Sequence, residues 1–123
     1  MDEGKRPRHI KDRTFDFAVA IIGFCQSLDL KGGVSRTLGR QLLGCGTSIG
    51  ANIEEAQGGQ SSADFVSKCS IALKEARETI YWLRLVQASD KSSENVNELL
   101  READEMSRII GSIIVHAKNG KKK

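Results

Sequence analysis

Apolar residues recur in this chain at steps of three and four through four separate segments, and nowhere do they alternate for long enough to build a strand. That period places side chains along one face of a helix. Leu38, Leu42, Cys45, Ile49, Ile53 and Ala56 form one stripe, and Phe65, Cys69, Ala72, Ala76, Ile80 and Leu83 another, widened by Val66 and Leu73. Gly58-Gly59 separates the two, where a left-handed residue can end the first helix. Ser61 or Ser62 then caps the second, with Asp64 in its first turn. A stripe through Phe17, Ile21, Phe24 and Leu28 precedes this hairpin. Another through Val96, Leu99, Leu100, Ala103, Met106, Ile110 and Ile113 follows it.

The expected architecture is all-α, an antiparallel up-down-up-down four-helix bundle. Residues 1–13 are expected to form a flexible basic arm, and residues 14–117 the bundle, with helices at about 14–28, 35–57, 62–88 and 93–117. Residues 118–123 are expected to be a basic tail. Asp12 or Thr14 is the expected cap of the first helix, Ser35 of the second, and Ser92 or Ser93 of the fourth; residues 29–33 read as a loop. A chain of 123 residues supports one core. The apolar run from Phe17 to Cys25 reaches about half the length of a membrane span, and no leader sequence is evident, so a cytoplasmic location is expected.

The net charge of +3 is unevenly placed. Residues 1–13 carry +2 and residues 116–123 carry +4, which leaves −3 on the body. The candidate nucleic-acid contacts are accordingly Lys5, Arg6, Arg8, Lys118, Lys121, Lys122 and Lys123.

No residue pattern points to a reaction. Cys25, Cys45 and Cys69 lie on apolar stripes and read as small buried hydrophobes, without CxxC spacing. The glutamates of the hairpin lack the Glu-x-x-His pairs of a di-iron bundle. Neither histidine lies in the hairpin to activate a serine or cysteine. Neither enzyme activity, cofactor nor metal is expected. Gly44, Gly46 and Gly50 match no phosphate-binding loop. Three glycines in one helix instead suggest that Gly46, Gly50 and Ala51 admit a closely packed helix, from the same chain or from a second subunit.

Two polar lines run beside the core stripes. Ser48, Asn52 and Glu55 make one; Ser70, Lys74, Arg77, Tyr81 and Arg84 make the other, with Glu75 nearby. Three readings stay open: a solvated face stitched by pairs such as Lys74 with Glu78, a subunit interface, and a ligand or nucleic-acid site. Of the neighbours Tyr81 and Trp82, at least one ring should face outward, as an interface anchor or a base-stacking platform.

The segments GTSIGANIEEA (residues 46–56), SKCSIALKEARET (67–79) and YWLRL (81–85) resemble the four-helix bundle family also called 23S rRNA intervening sequence proteins. The resemblance implies a bacterial cytoplasmic bundle assembled as a homopentameric ring, without enzyme activity and of unsettled function. Some members are encoded within insertions in 23S rRNA genes, and a related basic pentamer works with nucleic acid. The family pattern falls on Ser48, Asn52, Glu55, Lys74, Glu75, Arg77, Tyr81 and Arg84. Two functions are therefore expected as alternatives. One is a homo-oligomer that binds RNA or DNA without sequence preference through its basic tails. The other is a protein-binding scaffold that uses the two polar lines and has no nucleic-acid role.

Overall fold

A computed structural model describes residues 9–58, 61–89 and 96–121. They form four helices: α1 (Ile10–Lys31), α2 (Gly33–Gln57), α3 (Ser62–Ser89) and α4 (Val96–Lys121). Each packs on the next in chain order, and α4 returns to α1 along a shorter stretch, closing an antiparallel bundle. Cross-helix pairs record the antiparallel register. Lys11 Nζ lies 3.7 Å from Glu54, Lys68 Nζ 2.7 Å from Glu55, and Gln87 Nε2 donates to Asn97 Oδ1 at 2.5 Å.

The sequence stripes become the core. Phe17, Ile21, Leu28, Leu42, Ile49, Ile53, Leu83, Met106 and Ile110 are all buried in it. Thr14 and Thr79 are buried with them, each bonded to its own helix. Thr14 Oγ1 donates to Lys11 O at 3.1 Å, and Thr79 Oγ1 to Glu75 O at 2.8 Å. Burying a hydroxyl is tolerable when such a bond replaces the lost water. All three cysteines are free and buried. Burial pushes the Cys25 thiol up to about 11, with the Cys45 sulfur adding to the effect, and raises Cys45 and Cys69 as well.

Several helix ends differ from expectation. α1 starts at Ile10, capped by His9, whose Nδ1 accepts from Lys11 N at 3.0 Å; Asp12 and Thr14 lie inside the helix. The cause is Arg13. Its guanidinium donates from Nε and Nη2 to Glu102 at 3.0 and 2.6 Å and also reaches Glu105, fastening the first turns of α1 to α4. The Glu102 and Glu105 carboxylates raise the Arg13 pKa further.

Residues 29–31 are helical rather than looped, and the α1–α2 connection is Gly32 alone, with Ser35 already inside α2. So abrupt a reversal needs left-handed backbone. Gly32 and Gly33 supply it at φ +71° and +56°. Arg36 clamps the turn through its 3.0 Å ion pair with Asp29. At the other end of α2, Gly58 has φ −95°, so its stop is not the left-handed one expected, and Gly59 falls outside the described residues. Ser61 does cap α3, its Oγ accepting from Asp64 N at 3.1 Å. Residues 90–95, with the caps expected at Ser92 or Ser93, lie outside the described residues. α4 continues through Lys118 to Lys121, so that stretch is helix rather than tail.

Candidate interaction surfaces

Gly46 and Gly50 form a helix contact inside the chain. A β-carbon on Gly46 would stand 2.9 Å from Ile21 Cγ2, and one on Gly50 would stand 3.2 Å from the carbonyl oxygen of Thr14. Both mark where α1 lies against α2, so these two glycines serve the bundle. Ala51 is exposed and takes no part. Gly39, not singled out from sequence, packs in the same crossing against Leu28. Nothing in the structure explains Gly44, which faces open space.

The two polar lines have separate fates. On α2, Ser48 Oγ donates to Gly44 O at 2.6 Å, Asn52 Nδ2 to Ser48 O at 2.8 Å, and Glu55 holds Lys68. The Glu55 carboxylate raises the Lys68 pKa. This line is spent largely within the chain. On α3, Lys74, Arg77, Tyr81 and Arg84 are exposed, while Glu75 is half-buried. Among the described residues neither Lys74, Arg77 nor Arg84 has an ion-pair partner. Lys74 does not pair with Glu78; that carboxylate accepts instead from Trp82 Nε1 at 3.2 Å. Trp82 is half-buried, and Tyr81, 54% exposed, is the outward ring, set edge-on to Trp82 with centroids 5.4 Å apart.

A third surface escaped the sequence reading. Phe15 (63% exposed), Val19 (55%), Ile22 and Leu30 (88%) run along α1 on the side away from the core. Leu43 on α2 joins them, and a groove of about 680 Å³ between the two helices is lined by Ile22, Leu30, Gly39, Arg40 and Leu43, among others. The signal was present, since Phe15, Val19 and Ile22 are spaced by four and three. It was masked because the core stripe interleaves with it and makes the helix look uniformly apolar.

Of the expected nucleic-acid contacts, Lys118 is exposed on α4, and Lys121 ends that helix. Lys5, Arg6, Arg8, Lys122 and Lys123 lie outside the described residues. Among the described residues every buried side-chain nitrogen and oxygen has a partner, and no group of three His, Cys, Asp or Glu is placed to hold a metal ion. No helix among them is long and apolar enough to cross a membrane.

These features define a small all-α bundle with a fully satisfied interior, whose distinctive chemistry lies on the outside of α1 and α3. The profile of the 23S rRNA-intervening sequence protein family matches residues 8–112, and the chain belongs to that family. It is similar to a crystal structure of a protein of unknown function from the S23 ribosomal protein family of Bacteroides thetaiotaomicron. The TM-score is 0.78 and the identity 40%, over 86% of this chain and 98% of that one. No curated protein matches the chain.

Proposed function

We propose that the protein is a non-catalytic binding protein that works as a homo-oligomer. Subunits meet through the outer face of α1, and basic termini gathered at the assembly hold RNA or DNA without sequence preference. The observation carrying this reading is the second apolar stripe, Phe15, Val19, Ile22 and Leu30, on a helix that already buries its other side. A helix apolar on both sides is at home between two packed layers, and a lone bundle supplies only one of them. A ring of five copies is the number that the family resemblance implies. Each subunit would bring two basic ends, and linking weak sites multiplies their joint affinity. The competing scaffold reading is weakened because Ser48, Asn52 and Glu55 are engaged within the chain.

Light scattering on the full-length protein, with and without a short RNA at two salt concentrations, tests both halves. The expected result is a five-subunit mass that rises with RNA at low salt only. Phe15→Glu/Val19→Glu should reduce that mass toward one chain. A single-chain mass for the unaltered protein would refute assembly. RNA binding indifferent to salt would refute the electrostatic hold.

A further inference from the structure

The outward line of α3 is chemically unlike the rest of the surface. Among the described residues, Ala63, Ser67, Ser70, Lys74, Arg77, Tyr81, Arg84 and Ala88 succeed one another at steps of three and four, all exposed. No acid interrupts them. Lys74 to Arg84 spans about 15 Å at 1.5 Å per residue. Of the acids of the same helix, Asp64 is exposed in the first turn, Glu75 is half-buried, and Glu78, exposed, accepts from Trp82. The line continues onto α4. Gln87, one turn beyond Arg84, is bonded to Asn97, and Arg101 follows Asn97 by one turn, exposed and without an ion-pair partner.

The net body charge of −3 conceals this arrangement, because it sums a basic face with acids used elsewhere as partners. Glu54 and Glu55 on α2 hold Lys11 and Lys68, Glu102 and Glu105 hold Arg13, and Asp104 holds Arg108. Cations left unpaired on a rigid helix keep their full charge for a ligand, with no internal bond to break first.

We infer that the Lys74–Arg77–Tyr81–Arg84 line, extended by Arg101, is a binding track for single-stranded nucleic acid. The cations lie along the phosphates and the Tyr81 ring stacks a base. The inference rests on the nucleic-acid reading proposed above but moves the principal site from the termini to the folded body. A lone strand is the occupant because Tyr81 offers an open ring face, and a base can reach it only when unpaired. The edge-on contact with Trp82, itself anchored on Glu78, sets the direction of that ring beforehand. Phosphate contacts need only the charges, so sequence preference is slight.

The test uses full-length protein and fluorescence anisotropy with a short mixed-sequence single strand, its duplex and poly-glutamate, over a salt series. Single-strand binding falls off with salt by a log–log slope of about 0.7 per phosphate contact. Lys74→Gln/Arg77→Gln/Arg84→Gln should therefore flatten the slope by about 2. Tyr81→Ala should weaken single-strand binding about tenfold while leaving the slope and duplex binding unchanged, and Tyr81→Phe should restore it. A second full-length variant, with Lys5, Arg6, Arg8, Lys118, Lys121, Lys122 and Lys123 all changed to Gln, separates the sites. If it keeps its preference for single strands, the track stands and the terminal reading falls. If it loses all binding while the α3 triple variant binds normally, the track is overturned and the termini are the site. Poly-glutamate bound as well as the single strand, with Tyr81→Ala silent, would reduce the face to a general polyanion surface and overturn the stacking assignment. No binding of any strand by the unaltered protein at low salt overturns both. Lys74, Arg77, Tyr81, Arg84 and Lys118 are all exposed, so replacing them should leave the helical circular dichroism unchanged.

Discussion

Replacing Gly44, Gly46 and Gly50 with alanine, one at a time, should move stability in opposite directions, although all three lie within one stretch of α2. Glycine inside a helix costs about 0.5–1 kcal/mol relative to alanine, since the free chain loses more freedom on folding. At Gly44 a new methyl meets nothing within 4 Å, so Gly44→Ala should recover that amount. For a domain of this size it corresponds to a rise of roughly 2–5 °C in Tm.

At Gly46 the methyl would stand 2.9 and 3.0 Å from the two γ-carbons of Ile21. Ile21 is fully buried, and its branched side chain is held to one rotamer in a helix, so it has nowhere to retreat. At Gly50 the nearest atoms, at 3.2 and 3.3 Å, are backbone O and C of Thr14, so relief requires α1 itself to shift. Overpacking of this kind costs about 1–3 kcal/mol, which exceeds the helix gain. Gly46→Ala and Gly50→Ala should each lose about 0.5–2 kcal/mol, and Gly50→Leu should prevent normal folding. Urea unfolding followed by circular dichroism, at one fixed protein concentration because assembly adds to stability, measures all three. A common gain at the three positions would refute the close crossing of α1 and α2. A loss at Gly44 would refute the claim that its surroundings are open.

Arg13→Lys should cost about 1–3 kcal/mol in the same assay, because an ammonium cannot reproduce the forked contact with Glu102 and the additional hold on Glu105. An unchanged midpoint would mean that the α1–α4 contact does not depend on it. The cysteine thiols should resist a thiol reagent in the folded protein near pH 8 and react fully in urea. Because burial raises Cys25 to about 11, its stabilising share is whole below pH 9, where the unfolded thiol is also neutral, and is lost as pH rises from 9 to 11. The slope is about 1.4 kcal/mol per pH unit, and Cys25→Ala should lose correspondingly less over that window. Phe15→Glu/Val19→Glu should abolish self-association and leave the helical signal intact, since both side chains are already exposed.

The bundle was legible in the sequence because a three-to-four apolar period is a local property that each helix carries by itself. Cys45, Ile49, Ile53, Ala72, Ala76 and Leu83 are buried where their spacing placed them. Helix ends were less legible. The start of α1 is capped by His9 and its first turns are held by Arg13 meeting Glu102, a partner 89 positions away, while Arg36 pairs with Asp29 across the tight Gly32 turn. The tertiary structure alone decided what the outside means. Ser48, Asn52 and Glu55 look like Lys74, Arg77 and Arg84 in a periodicity analysis, yet the first set is bonded within the chain and the second is not. Gly44 looks like Gly50 but faces empty space. The sequence by itself determined four amphipathic helices and their order, because burying apolar stripes requires only local spacing. Which polar groups stay unpaired, which glycines touch a neighbour and which face of α1 is left bare were set by the packing of one helix on another, because each depends on atoms far apart in the chain.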